Sequence, residues 1–250
     1  GEFYLSRNFR LQKVGNIDWL KNNFGFGETC DFIDELVIIN ITKNPTSEDF
    51  KKYFQDVKKL REKIFVPITL GGGIRKLDDA KQYFEHGADK ILINYLAHRG
   101  KFICDKISNI FGEQSISIMI DYKKNRNGET CTYIESGKKE SKELKKFIKS
   151  IINLKFGELI LNSIDNDGTG SGIDLKCLNM IPKNFFRPVL LMGGAGKPEH
   201  FKNGLSHKKI SGLITANLFN FLGTGLQQAR DYSIKNKIKL VKFNKIEANV

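Results

Sequence analysis

A short motif that occurs twice in the 250-residue chain constrains its fold more than any other feature. Residues 66–76 read VPITLGGGIRK, and residues 187–197 read RPVLLMGGAGK. Each copy has a proline, a short apolar run, a glycine-rich corner and a lysine. Residues 35–38 (ELVI) return as residues 158–161 (ELIL), at the same interval of about 121 to 123 residues. The chain is therefore predicted to contain two copies of one structural unit.

Seven apolar runs of strand length alternate with helical patterns. Most runs are continuously apolar, which is typical of parallel strands that are covered on both faces. The runs begin at Glu35, Val66, Lys90, Ser115, Gly157, Pro188 and Gly212. Helical patterns lie between them, as in residues 46–64 and 141–155. This alternation predicts a parallel sheet with right-handed crossovers.

The repeat interval selects one architecture. Seven strands are compatible with an open doubly wound sheet, but the interval is about half the length of a typical barrel. We therefore predict an α/β fold, a (β/α)8 TIM barrel built from two half-barrels, as a single domain over residues 1–250. The seven runs would be strands 2–8, and residues 1–9 (GEFYLSRNF) the loop after strand 1. The first strand would then be missing from this sequence, and Gly1 would be an internal residue of the natural protein.

Composition narrows the function classes. The formal net charge is +13, which favours phosphate-bearing partners or, more simply, a lysine-rich solvated surface. The sequence has no dense basic block with interleaved aromatic residues of the kind that indicates nucleic-acid binding. It also has no apolar run that approaches the roughly 20 residues of a membrane span. The four cysteines are scattered, which argues against a zinc site or disulfide framework and for a reducing compartment. We expect a cytoplasmic protein without metal or cofactor.

Glycine-rich turns follow several predicted strands, at the end where barrel enzymes bind their ligands. Gly73 lies in the turn after strand 3, and Gly194 in the turn after strand 7. Residues 167–170 (DGTG) follow strand 6 and add the hydroxyl of Thr169. Glycine lets backbone N–H groups approach phosphate oxygens. Each turn alone is compatible with a plain tight turn, but several in repeat register predict a ligand with two phosphoryl groups.

Charged residues mark both ends of the predicted strands. Asp121 closes the apolar run SISIMID, which makes it a candidate general acid or base; the alternative is a salt bridge to Lys123 or Lys124. Opposite charges begin three strands, at Glu35, Lys90 and Glu158. They are either solvated strand starts or a ring that closes the bottom of the barrel.

These features together resemble the cyclase subunit of imidazole glycerol phosphate synthase, over nearly the whole chain. The matching segments are RNFRLQKVGN, IDELVIINIT, VPITLGGGIRKLDD, GADKILIN, IDYKK, GELILNSIDNDGTGSGIDL, LMGGAGKPEHF and ITANLFNF. The resemblance implies an enzyme of histidine biosynthesis that works with a glutaminase subunit docked at the bottom of the barrel. Ammonia would pass through the barrel and attack a substrate with two phosphates at the top.

The resemblance also implies residue roles. Asp121 falls on one of two catalytic aspartates, and the other would lie on strand 1. The phosphate-binding positions fall on Gly73, Asn94, Asp167, Gly168, Gly194, Ala216 and Asn217. The gate of the ammonia path falls on Glu35, Lys90 and Glu158.

Three residues depart from the family pattern. Asn40 stands where the family has an aspartate, Leu5 where it has a lysine, and Tyr95 where it has a threonine. Altered substrate-facing residues on a retained scaffold resemble the cyclase paralogues of bacterial surface-glycan gene clusters, which are thought to use ammonia to convert an acetamido group on a nucleotide-sugar into an acetamidino group. A sugar-phosphate isomerase barrel without a glutaminase, and a non-catalytic barrel that scaffolds a partner, remain further alternatives.

Overall fold

The computed structural model describes residues 1–24, 30–62, 64–216 and 224–241. The strands are β1 (Phe3–Arg7), β2 (Arg10–Gly15), β3 (Leu36–Ile39), β4 (Ile68–Gly71), β5 (Lys90–Ile93), β6 (Ile116–Lys124), β7 (Thr130–Ile134), β8 (Lys139–Glu143), β9 (Glu158–Ser163), β10 (Val189–Met192) and β11 (Gly212–Ile214). The helices are α1 (Ile17–Phe24), α2 (Ser47–Arg61), α3 (Leu77–Glu85), α4 (Tyr95–Arg99), α5 (Lys101–Phe111), α6 (Leu144–Ile151), α7 (Pro198–Leu205) and α8 (Gly225–Lys235). Short 3-10 turns cover Glu113–Ser115 and Leu175–Met180.

Seven strands form one parallel sheet in the order β11, β10, β9, β6, β5, β4, β3. They coincide with the seven predicted apolar runs, and their order is that of strands 2–8 in a (β/α)8 barrel. The predicted α/β barrel fold is therefore confirmed. The outer edges of β3 and β11 pair with no other described strand. A cavity of about 690 Å³, lined in part by these two strands, the first hairpin and α8, lies beside those edges.

Local sequence explains the main helix–strand units. Thr46 caps α2 with a capping box, because its hydroxyl accepts a hydrogen bond from the backbone N–H of Asp49 while the Asp49 carboxylate accepts one from Thr46. Phe54, Val57 and Leu60 recur at helical spacing and are buried against the outer face of the sheet. A second, smaller apolar cluster fills the inner face of the sheet around Leu92, Met119 and Ile160.

Four strands were not expected from the sequence. The predicted loop at residues 1–9 contains β1 and part of an antiparallel hairpin with β2. Strand β6 continues past Asp121 to Lys124, because it pairs with β7, which in turn pairs with β8. The helix expected from residue 141 consequently begins at Leu144. No helix in the described ranges is both long enough and apolar enough to cross a membrane.

Candidate functional site

Three neighbouring strands carry inward-facing residues at alternate positions. Because side chains alternate between the two faces of a strand, residues i, i+2 and i+4 share one face. The inward sets are Lys90, Leu92 and Asn94 at β5, Ser117, Met119 and Asp121 on β6, and Glu158, Ile160 and Asn162 on β9. The register aligns them, since Ser117 lies beside Glu158, Met119 beside Ile160, and Asp121 beside Asn162. The barrel interior therefore has a charged layer at the amino ends, an apolar layer, and an acid–amide layer towards the carboxyl ends.

Asp121 is held between two amides in the upper layer. Its carboxylate accepts a hydrogen bond from Asn94 Nδ2 at 2.7 Å and another from Asn162 Nδ2 at 2.8 Å. Only 7% of Asp121 is exposed. Burial raises the pKa of Asp121 to about 7; the Asn162 amide opposes the shift, the charge of Asp167 adds to it, and the Asn94 amide opposes it. A carboxyl group with this pKa can hold or release a proton at neutral pH.

Asp121 does not form the alternative salt bridge to Lys123 or Lys124. Lys123 Nζ donates a hydrogen bond to the carbonyl of Gly137 at 3.1 Å and lies 4.4 Å from the ring centroid of Tyr133. Among the described residues, no ion pair involves Asp121 or Lys124. The raised pKa of Asp121 thus comes from burial, which the two amide contacts offset only in part, and no ion pair within the described residues lowers it.

The two glycine corners have the same local geometry. Gly72 follows β4 with φ +100°, and Gly193 follows β10 with φ +98°. A Cβ at Gly72 would lie 2.0 Å from the carbonyl oxygen of Asn40, at the end of β3. A Cβ at Gly193 would lie 2.7 Å from the carbonyl oxygen of Ser163, at the end of β9. Each corner therefore crosses closely over the preceding strand of its half, so the sequence repeat is also a structural repeat.

The other predicted phosphate-binding residues that the structure describes follow the carboxyl ends of the parallel strands, as the glycine corners do. Gly73 and Ala216 are exposed after β4 and β11, and Gly194 follows Gly193 with φ +94°. Asn94 follows β5, but its amide is directed at Asp121. Asn217 lies outside the described residues.

The turn at residues 167–170 holds the amino-terminal hairpin. The Asp167 carboxylate accepts hydrogen bonds from Ser6 Oγ at 2.5 Å and from the backbone N–H of Phe9 at 3.1 Å. Thr169 Oγ1 donates to the carbonyl of Asn166 at 2.7 Å. Gly168, with φ +66°, passes so close to the hairpin that a Cβ would lie 2.2 Å from the carbonyl oxygen of Ser6. The side chains of this turn are thus engaged within the protein and fix the hairpin over the mouth.

The opposite end of the strands carries the predicted charged ring. Lys90 Nζ lies 2.7 Å from Glu35 Oε2 and 3.1 Å from Glu158 Oε2. The hydroxyl of Thr69 donates to Glu35, and that of Ser117 donates to Glu158. Burial lowers the pKa of Lys90, but the hydrogen bonds and charges of the two glutamates outweigh it and raise the pKa. The three residues are therefore brought together, as one cation between two hydroxyl-supported carboxylates.

Sequence reasoning missed three residues of these layers. Asn162, Thr69 and Ser117 were given no role although Thr69 lies inside the repeated motif, because each is an uncharged polar residue in or at the end of an apolar run. A period-two count would have found two of them, since Ser117 lies four residues before Asp121 and Asn162 four residues after Glu158. Within the described ranges, no three His, Cys, Asp or Glu side chains are grouped as they would be to hold a metal ion.

Comparison with known proteins identifies the family. The model of the family described as "Histidine biosynthesis protein" matches residues 30–224. A protein of Parasynechococcus marenigrum named "Putative imidazole glycerol phosphate synthase subunit hisF2" is 40% identical over 232 residues, which are 92% of this chain and 85% of the relative. Proteins named imidazole glycerol phosphate synthase subunit HisF are similar as well. That of Hydrogenobaculum sp. is 34% identical over 82% of this chain and 81% of its own length. That of Chlorobaculum tepidum is 33% identical over 90% and 91%. The chain therefore belongs to the histidine biosynthesis protein family, and the relatives it matches over most of its length are enzyme subunits.

Proposed function

We propose that this chain is the synthase subunit of a glutamine amidotransferase pair, of the imidazole glycerol phosphate synthase type. A glutaminase subunit would bind at the amino ends of the strands and release ammonia there. The ammonia would travel through the barrel and react with a phosphate-containing substrate at the carboxyl ends. The observation that carries the proposal is the three-layer interior, with a charged ring and a buried carboxyl group at opposite ends of the same three strands.

The middle layer supports the passage of ammonia and not of ammonium. Strands rise about 3.3 Å per residue, so the ring at Ser117 and the carboxyl of Asp121 lie roughly 13 Å apart along β6. Leu92, Met119 and Ile160 lie between them. An apolar layer strongly disfavours a charged ion, while a small neutral molecule crosses at modest cost.

Asp121 is suited to acid–base chemistry at the mouth. Ring closure by ammonia requires proton removal from the attacking nitrogen and proton delivery to a leaving oxygen. A carboxyl group whose pKa is about 7 can do either at neutral pH. The glycine corners after β4 and β10 lie four strands apart in the sheet, on opposite sides of the barrel axis, where their backbone N–H groups would bind the two ends of a bis-phosphorylated substrate.

The departures from the family pattern favour a second candidate, the formation of an acetamidino group on a nucleotide-sugar. Asn40 Nδ2 is buried without a hydrogen-bond partner among the described residues, so this position offers a donor to a ligand where the family offers a carboxylate. Tyr95 is 44% exposed beside the mouth, and the guanidinium of Arg75 lies 5.3 Å from its ring centroid. A planar cation over an exposed aromatic ring is a surface on which a nucleobase can stack.

Ammonium-driven turnover tests the proposal without the partner. The natural protein, incubated with the bis-phosphorylated histidine-pathway substrate and ammonium chloride at pH 8.5, should form imidazole glycerol phosphate. Asp121→Asn should lower kcat by at least 100-fold, the contribution expected of a general acid or base. Asp78→Asn, on the exposed surface of α3, is the matched control and should retain full activity.

The result separates the candidates. Turnover of a UDP-linked acetamido sugar with ammonium, in place of the histidine-pathway substrate, would select the second candidate. An Asp121→Asn variant that keeps wild-type activity on either substrate would remove Asp121 from the chemistry and contradict the proposed mechanism.

A further inference from the structure

Two arginines lie directly opposite each other at the tip of the amino-terminal hairpin. Arg7 ends β1 and pairs with Arg10, the first residue of β2, across a two-residue turn in which Asn8 has φ 50° and Phe9 has φ 62°. Both arginines are exposed. Side chains that are directly opposite in an antiparallel pair share one face, about 5 Å apart at Cβ, and like charges in this arrangement are destabilising. The hairpin tip therefore holds two positive charges side by side at a cost in stability.

No carboxylate in the described ranges forms an ion pair with either Arg7 or Arg10. Asp165 and Asp167 contact the tip through their backbone carbonyls, but their side chains have other partners. The carboxylate of Asp165 accepts a hydrogen bond from the backbone N–H of Lys124 at 3.0 Å, and that of Asp167 is buried and accepts hydrogen bonds from the hairpin itself. The arginine pair is thus left for an anion from outside the chain.

The hairpin tip is held in place at the carboxyl ends of the parallel strands. Asn8 Nδ2 donates hydrogen bonds to the carbonyls of Ile164 at 3.0 Å and of Asp165 at 2.8 Å. Phe9 packs against a small apolar cluster that includes Tyr133 and Ile164. The tip cannot move away to relieve the repulsion without breaking these contacts, so the two charges are fixed beside the mouth.

One loop separates Arg7 from the second glycine corner, residues 193–196 after β10. On one side of this loop, a Cβ at Gly168 would lie 3.0 Å from the Cβ of Arg7. On the other side, the backbone N–H of Gly172 donates a hydrogen bond to the carbonyl of Gly194 at 2.8 Å. A phosphoryl group at the second corner would therefore lie one chain segment away from the arginine pair.

The two corners differ in charge at one equivalent position. Arg75, in the corner after β4, corresponds to Gly196 in the corner after β10 at the interval of the repeat, whereas both corners continue with a lysine, Lys76 or Lys197. A Cβ at Gly196 would lie 2.6 Å from the Cα of Gly170, so the second corner has no room for an arginine of its own. It lacks one cation that the first corner has, and the hairpin tip is placed to supply it.

We propose that Arg7 and Arg10 form a clamp for the phosphoryl group that binds at the second corner. The two guanidinium groups would donate charge-assisted hydrogen bonds to its oxygens, together with the backbone N–H groups of the corner. That the anion is a substrate phosphate rests on the proposed function; that the tip binds an anion follows from the uncompensated pair. A phosphate dianion between the arginines removes their repulsion, so the clamp selects substrates that carry a phosphoryl group at this end.

Inorganic phosphate tests the clamp without the substrate. Amide ¹H–¹⁵N spectra are recorded during a phosphate titration, in which the signals of Gly73 and Gly194 report on the first and the second corner separately. Arg7→Gln/Arg10→Gln should weaken binding at Gly194 at least about 100-fold, roughly tenfold for each lost charge-assisted hydrogen bond, and leave the response of Gly73 unchanged. Arg7→Lys/Arg10→Lys keeps the charge without the planar fork and should recover binding only in part. Lys124→Gln, which removes an exposed lysine at the end of β6, is the control and should weaken binding less than about twofold.

Stability and kinetics give two further readouts. Without phosphate, Arg10→Gln should unfold at a higher temperature than the natural chain, because it removes the like-charge pair, and sodium chloride should narrow this difference. Added phosphate should raise the melting temperature of the natural chain more than that of Arg7→Gln/Arg10→Gln. In ammonium-driven turnover, the double variant should raise KM and keep kcat within about twofold, as expected for a group that binds substrate and transition state equally.

Three results would overturn the clamp. The double variant and Lys124→Gln would show equal phosphate affinity at Gly194. Phosphate would shift the signal of Gly73 but not that of Gly194 in the natural chain. The natural chain without phosphate would melt above Arg10→Gln, which would mean that the pair is already compensated. A natural chain in which neither corner responds would contradict the clamp and the phosphate corners together, whereas absence of ammonium-driven turnover alone would contradict the proposed function and leave the phosphate titration to decide the clamp.

Discussion

Replacing Asp121 by asparagine should stabilise the folded chain at pH 8. Burial raises the pKa of this carboxyl group from its ordinary value of 3.8 to about 7, and the amides of Asn162 and Asn94 recover only part of the cost. At pH 8 the group is ionised both in the folded and in the unfolded chain, but the folded chain must keep the charge out of water. Asparagine is nearly isosteric and carries no charge, so the variant avoids this cost.

The size of the effect follows from the two pKa values. Because the folded pKa lies above the unfolded one, the carboxyl group favours the folded state most below about pH 4, and this contribution is lost as pH rises towards 7. One pH unit between the two pKa values corresponds to about 1.4 kcal/mol. The gain in unfolding free energy from Asp121→Asn should therefore grow by roughly 2.5 kcal/mol between pH 5 and pH 8, and level off above pH 8.

Urea unfolding of the natural chain and of Asp121→Asn at pH 5, 6, 7 and 8 gives the difference between their unfolding free energies at each pH. The titration of all other groups is common to both proteins and cancels in this difference. Asp78→Asn is the control, since its carboxylate lies on the exposed surface of α3, and its difference should stay within about 0.5 kcal/mol at every pH. A gain from Asp121→Asn that does not change with pH, or a natural chain that is the more stable protein at pH 8, would refute the argument from burial.

Two further substitutions test the geometry of the mouth. Asn162→Ala should raise the pKa of Asp121 by about 1–2 units, because a hydrogen bond to a charged group is worth about 1.5–3 kcal/mol; carboxyl ¹³C NMR titration measures it, and Asn125→Ala, in the β6–β7 connection, should cause no shift. Gly72→Ala should destabilise far more than Gly128→Ala. Both glycines have positive φ, but a Cβ meets nothing within 4 Å at Gly128 and a carbonyl oxygen at 2.0 Å at Gly72. Gly128→Ala should cost about 1–2 kcal/mol from the positive φ alone. Gly72→Ala should cost more, because its Cβ would also push the backbone of Asn40 away. Equal urea midpoints for the two variants would show that the corner at Gly72 adapts.

The parallel strands could be predicted because their sequence signal is strong. Each is a mostly apolar run, because helices cover the outer face of the sheet and the apolar layer of the interior covers much of the inner face. The repeat then fixed the order of the strands, since residues 66–76 and 187–197 can be equivalent only if half a barrel separates them. The short strands β7 and β8 could not be predicted this way. Their residues are polar or alternate, as in Lys139–Glu143, and they are held by pairing with β6 and not by burial of a long apolar run.

The candidate site was predictable where charge interrupts an apolar run, and not where it depends on register. Asp121 and the three ring residues are conspicuous because ionisable groups at strand ends are costly unless they have partners. Asn162 is not conspicuous, because an amide at the end of a strand is common. Its role depends on which residue of β6 lies beside it. The register between β6 and β9 cannot be inferred from the sequence, because Asp121 and Asn162 are 41 residues apart in the chain.

Register also links the two ends of the barrel interior. Asp121 lies beside Asn162 and Ser117 beside Glu158 in one ladder between β6 and β9. A shift of that ladder by one residue would turn both side-chain sets to the opposite face and break both contacts together. The acid at the mouth and the carboxylate of the ring are therefore positioned by the same backbone hydrogen bonds. It follows that a substitution which loosens this strand pair should impair the ring and the mouth in parallel.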